Sequence, residues 1–177
     1  MFMPFLGLHS FQDSSSSGFD AGLRIGALVG GFATGQWSLN AGMAFDVFNP
    51  NSQASDAGLD ISGKMLDLTF SPLFHIGNAK GELVIGPKLG GWVEWVHVTG
   101  AAPAGVAVDA TAEGWTLGGN MGGFLTASPT VLVGILMTLE LREPLHACAS
   151  ATNVAEMCTT SGLDSATMLG FTIALML

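Results

Sequence analysis

The chain has 177 residues, of which 49% are hydrophobic and 11% charged, with 25 glycines, no tyrosine and a net charge of −9 at pH 7. Soluble domains carry about a quarter charged residues, so less than half of the usual solubilising charge is present, and mean hydropathy is +0.50. Five Lys and Arg are too few to neutralise a phosphate backbone, which excludes nucleic acid as a partner, and glycines without a three-residue period exclude collagen.

The length suits one domain, 1–177, with a substantial core. The opening segment MFMPFLGLHSF lacks the basic n-region of a signal peptide and reads as the start of a strand, so an exported protein would be represented here by its mature part. In chain order, period-2 alternation predicts strands at about 1–11, 19–33, 36–48, 59–75, 81–98, 109–127, 130–143 and 165–177. In the first, Met3 and Phe5 compete with Leu6 and Leu8 for the outer face. The third puts Trp37, Leu39, Ala41, Met43, Phe45 and Val47 on one face and Ser38, Asn40, Gly42, Ala44 and Asp46 on the other. The fourth sets Leu66, Leu68, Phe70, Pro72 and Phe74 against Asp67, Thr69 and Ser71. The fifth sets Leu83, Ile85, Pro87 and Leu89 against Glu82, Gly86 and Lys88, and the seventh Val131, Val133, Ile135, Met137, Leu139 and Leu141 against Gly134, Thr138, Glu140 and Arg142. The last ends on Leu169, Phe171, Ile173, Leu175 and Leu177, all on one face. Ile25–Phe45 and Thr116–Leu139 are long enough for membrane helices, but both are broken by several glycines, each costing about 1 kcal/mol in a helix relative to Ala.

Short turns at 33–36, 77–81 and 127–130 alternate with longer loops at 12–18, 49–58, 99–109 and roughly 144–164. Eight strands so joined predict an all-β fold, an antiparallel up-and-down transmembrane β-barrel. A soluble lipocalin-like barrel that binds a small ligand is the alternative, and it would put bulky apolar residues inside. An eight-stranded bore just holds its own side chains. Small residues and a few long polar ones suit it, and a bore of Leu, Ile, Phe and Met does not. The inward polar set is then Arg24, Asp46, Asp67, Glu82, Lys88, Glu94, Glu140 and Arg142, with Leu28 and Phe124 adding apolar bulk. Both signs are present, which predicts a paired plug in place of an open channel. Trp37 at the short-turn end, with Trp95 and Trp115 toward the other, supply the interfacial aromatics.

PFLGLHSF at 4–11, DLTFSPLFHIG at 67–77, VIGPKLGGW at 84–92 and CASATNVAEMC at 148–158, followed by SGLD, carry a resemblance spanning nearly the whole chain. The sequence resembles the small eight-stranded outer-membrane β-barrels of Gram-negative bacteria, of the OmpA and OmpX type. It is most similar to outer-membrane barrels encoded in myxobacterial and related delta-proteobacterial genomes. The resemblance implies location in the outer membrane, contact with membrane lipid and lipopolysaccharide, and handling by the barrel-insertion machinery. The long loops are then offered to an extracellular partner.

In an oxidising envelope compartment Cys148 and Cys158, ten positions apart, form a disulfide. The rival is a metal site with His146, which lacks a nearby fourth ligand. No metal site and no cofactor are expected. His9 and His75 are expected near the interfaces. Asp13, Asp20, Asp56, Asp60, Asp109, Glu113, Glu143, Glu156 and Asp164 fall in or near the long loops and solvate them. An enzymatic role, as in barrels that modify lipids, would rest on His97 with Glu94 and loop Ser or Thr residues. No nucleophile motif accompanies them, so the expectation is a structural or surface-interaction protein that is not an enzyme.

Overall fold

Strict alternation of burial is plainest over Trp37–Pro50, where Ser38, Asn40, Gly42, Ala44, Asp46 and Phe48 are buried and the residues between them face out. The computed structural model describes residues 1–12, 19–50, 56, 58–100, 107–152, 154–161 and 163–177. These form nine strands: β1 (Phe2–Phe11), β2 (Phe19–Phe32), β3 (Trp37–Pro50), β4 (Leu59–Asn78), β5 (Gly81–Gly100), β6 (Ala107–Ser128), β7 (Val131–Ala151), β8 (Val154–Thr159) and β9 (Ala166–Met176). Each ring strand pairs antiparallel with its neighbours in the order β1 to β7, then β9, and β9 closes on β1. The result is an eight-stranded antiparallel barrel. Asp13 and the side chain of Asp20, with most of the loops at 12–18, 49–58 and 99–108, lie outside the described residues.

Closure explains the apolar last strand. Leu6 pairs with Ile173 and Leu8 with Phe171, while Ile135 pairs with Ile173 from the other side, so β9 has no free edge. The outward face is a belt of large apolar side chains: Leu68, Leu83, Ile135, Leu139 and Ile173 are each more than half exposed. A soluble barrel does not present such a surface. In β1 the competition resolves with Met3 and Phe5 buried inside and Leu6 and Leu8 outside.

The bore is layered. Toward the short-turn end Met3, Leu28, Leu73, Phe124, Leu136 and Met176 pack together, and toward the loop end Phe19, Phe48, Met65, Trp92 and Met168 do the same. Between them lies a layer of buried charge. The expectation that such a bore rejects Leu, Phe and Met is therefore corrected. Glycine makes the room: a Cβ on Gly26 would meet Phe5 Cζ at 2.5 Å, and one on Gly42 would meet Leu28 Cδ2 at 2.5 Å. Large side chains fit because the positions facing them have none.

The stretch 144–164 is not the loop that its sequence suggests. β7 continues to Ala151 and turns into β8, with Cys148 opposite Cys158. The pairing jumps from Gly114↔Pro144 to Glu113↔His146, so Leu145 is an extra residue, a bulge. Below it the odd residues of β7 face out; above it the even ones do, and the broken alternation hides the strand from a period-2 reading.

Charge in the middle of the belt is expected to be costly. Leu68→Arg, Ile135→Arg or Ile173→Arg should destabilise by about 2–4 kcal/mol, against about 0–1 kcal/mol for Val154→Arg beyond the belt. Unfolding titrations in liposomes measure the difference, and equal costs would contradict this placement of the bilayer.

Candidate functional site

Inward positions of six strands converge on the middle layer. Arg24 (β2) donates from Nη2 to Asp67 Oδ2 (β4) at 2.7 Å, and its Nη1 lies 3.4 Å from both Asp46 Oδ2 (β3) and Glu140 Oε1 (β7). Arg142 (β7) donates from Nη2 to the same Asp67 oxygen at 2.6 Å and to Glu140 Oε2 at 2.7 Å. Its guanidinium lies over the Trp92 ring, 5.7 Å from the centroid. Lys88 (β5) pairs with Glu140 Oε1. The ring of His9 (β1) sits between Arg24 and Asp46, 3.1 Å from Asp46 Oδ1. Three cations face three carboxylates, so the layer is neutral with His9 uncharged.

Strand register dictates this meeting. Arg24 is directly opposite Asp46, Asp46 opposite Met65, and Thr138 and Glu140 opposite Asn120 and Gly118. The layer continues toward the short turns as uncharged hydrogen bonds. Asn120 Nδ2 donates to Ser71 Oγ at 3.0 Å, Thr138 Oγ1 to Asn120 Oδ1 at 3.1 Å, and Asn40 Nδ2 to Ser38 Oγ at 2.8 Å. Below them His75 bridges Ser38 and Glu82.

Six of the eight predicted lumen residues, Arg24, Asp46, Asp67, Lys88, Glu140 and Arg142, thus share one network. Glu82 pairs instead with His75 near the turns. Glu94 is inward but forms no salt bridge among the described residues; it lines a cavity of about 350 Å³ above Trp92 with Phe11, Val96, Ala112 and Pro144. His9 and His75 are buried in the lumen, a correction to their expected interfacial placement. Both occupy inward positions of their strands, a signal that alternation carried. Trp92, the fourth tryptophan, is also inward and buried, and its even position in β5 carries the same signal.

Outside, the Trp37 ring packs tilted against Phe74 at one end of the belt, and Trp95 and Trp115 are exposed at the other. Cys148 and Cys158 are bonded to each other. His146 Nε2 is 3.6 Å from Cys148 Sγ, but the disulfide occupies both sulfurs, which removes the thiolates a metal would need. His97 and Glu94 do not come together, since they lie on opposite faces of β5. His97 Nδ1 instead hydrogen-bonds Asp109 Oδ1 at 2.6 Å on the outer wall.

No protein-family model and no curated protein matches the chain. Solved structures do. A major outer membrane protein from Thermus thermophilus superposes with a TM-score of 0.68 at 10% identity, over 99% of this chain and 97% of that one. The outer membrane protease OmpT from Escherichia coli superposes with a TM-score of 0.50 at 6% identity, over 89% of this chain and 64% of that one. The closed ring and the apolar belt define a transmembrane β-barrel. Both of these solved structures are outer-membrane proteins, and the fold of this chain is that of an outer-membrane β-barrel. The expectation that it is not an enzyme does not stand: a protease shares the fold, so the architecture admits catalysis.

Glu140 is the hub, touching Lys88, Arg24 and Arg142. Glu140→Gln leaves three cations against two carboxylates and should cost about 3–5 kcal/mol. Lys88→Met leaves two cations against three carboxylates, but Glu140 keeps two of its three partners, so it should cost less. Guanidinium unfolding in liposomes compares them; a costlier Lys88→Met would place the hub elsewhere. For the hairpin, alkylation of the unreduced protein should leave Cys148 and Cys158 unmodified by mass spectrometry, and labelling of both would refute the bond.

Proposed function

We propose that this is a plugged barrel of the OmpA and OmpX type, acting through its outer wall and loop-end surface, with a structural or surface-interaction role. The observation that carries the reading is the sealed charge layer. Arg24, Lys88 and Arg142 lock to Asp46, Asp67 and Glu140, with apolar layers above and below. An eight-stranded bore has no room for water beside such side chains. Opening a path would strand buried charges, each at a cost of kilocalories.

On this reading the working surfaces lie elsewhere. The belt contacts membrane lipid, and the rim above Trp95 and Trp115 meets lipopolysaccharide. β4 to β7, at 20 to 22 residues, are twice as long as a bilayer requires and raise a wall beyond it. That wall, tied at its top by the β7–β8 disulfide, is the surface offered to an extracellular partner. The insertion machinery of the outer membrane is the partner during biogenesis.

Planar-bilayer recording tests the plug. The monomer should give no steady conductance. Reproducible single-channel steps whose ion selectivity changes in Glu140→Gln or Lys88→Met would make it a narrow channel instead.

A further inference from the structure

The register of β4, β5 and β6 sets three outward residues in one row. Ser62 is directly opposite His97, and His97 is directly opposite Asp109. Side chains so paired have Cβ atoms about 4.5–5.5 Å apart. All three are exposed on the outer wall. His97 Nδ1 donates to Asp109 Oδ1 at 2.6 Å, which fixes the tautomer and leaves Nε2 as the free, basic nitrogen. Ser62 Oγ has no hydrogen-bond partner among the described residues, so it can turn to that nitrogen. This is the order acid, imidazole, hydroxyl that activates a serine nucleophile.

The surroundings specify what would reach it. One outward step toward the bilayer, about 7 Å along the strands, Lys64 stands opposite Trp95 and Trp95 opposite Thr111. Trp95 is 42% exposed and marks the membrane interface, the depth of lipid headgroups and ester carbonyls. The chain has five Lys and Arg. Arg24, Lys88 and Arg142 are buried in the lumen, and Lys80 lies in the turn between β4 and β5 at the opposite end. Lys64 is thus the one cation on the outer wall at the loop end. It sits where it can hold a lipid phosphate or the oxyanion of a carbonyl under attack.

We propose that Ser62, His97 and Asp109 form an acyl-ester hydrolase site on the outside of the barrel, acting on ester-linked acyl chains of membrane lipids with Lys64 as the anionic anchor. Ser62 Oγ attacks the ester carbonyl carbon while its proton passes to His97 Nε2. The tetrahedral intermediate collapses, the ester C–O bond breaks, and His97 returns the proton to the leaving alcohol, with the acyl group now on Ser62. Water, deprotonated by His97, attacks the acyl-serine, releasing a fatty acid and restoring the hydroxyl. The sum is ester plus water to acid plus alcohol, with no change of oxidation state. Asp109 acts as a positioning residue, holding the ring and stabilising the transient imidazolium.

The full chain, folded in micelles and checked by heat-modifiable gel mobility, is incubated with phosphatidylethanolamine vesicles and separately with purified lipopolysaccharide. Released fatty acid is quantified by mass spectrometry. A fluorophosphonate probe is applied in parallel and its adduct mapped. The expected result is an adduct on Ser62 and fatty acid released from at least one lipid, the lipid that responds naming the source. Both signals should vanish in Ser62→Ala and fall about 100-fold in His97→Gln and Asp109→Asn, with Asp109→Glu restoring activity. These positions are exposed and polar, so the variants keep the fold. No release from either lipid by the folded wild type, with or without an adduct, overturns the proposal, as does release undiminished in Ser62→Ala.

Discussion

A backbone N–H or C=O left unpaired in hydrocarbon costs several kcal/mol, so a chain that crosses a bilayer by strands must close on itself. The pairing of β1 with β9 meets that constraint, and the other features follow from it. Closure at eight strands fixes a bore only as wide as its own side chains. A narrow bore takes a large side chain only where the facing position is small, hence glycine opposite Phe5 and Leu28. The outer face, relieved of any packing partner, needs only to be apolar and bulky, and it is.

The charge layer is the less obvious consequence. A barrel interior packed solely with Leu, Phe and Met would stabilise many rotamer combinations and several registers alike. Buried ions are less forgiving, because a one-residue slip moves Asp46, Asp67 and Glu140 from the lumen to lipid. The network therefore acts as a register lock. Its stabilising worth relative to an apolar filling is small, but its penalty for misalignment is large. The apolar layers on either side keep water away and hold those penalties high.

Much of this was legible in the sequence because alternation is a backbone property that needs no tertiary information. The belt on β3, β4, β5, β7 and β9 and the six residues of the charge layer could be read from parity alone. What failed did so for identifiable reasons. His9 and His75 were assigned by residue type although their parity pointed inward. The extension of β7 and all of β8 were lost because the bulge at Leu145 inverts parity in mid-strand. Glu82 and Glu94 have inward parity, but parity says nothing about height along the barrel, so neither could be separated from the central network. The row of Ser62, His97 and Asp109 was invisible for a related reason. Three residues so far apart along the chain meet only once register is known.

The unequal strand lengths have one more consequence. β4 to β7 run to 20–22 residues, while β1, β2, β3 and β9 run to 10–14. The barrel is therefore cut obliquely, low on one side and high on the other. Seen from above the membrane, such a molecule has a compass bearing. A neighbour diffusing in the leaflet meets short strands from one quarter and a parapet from the opposite one. An assembly of these barrels would be directional even though each ring is closed.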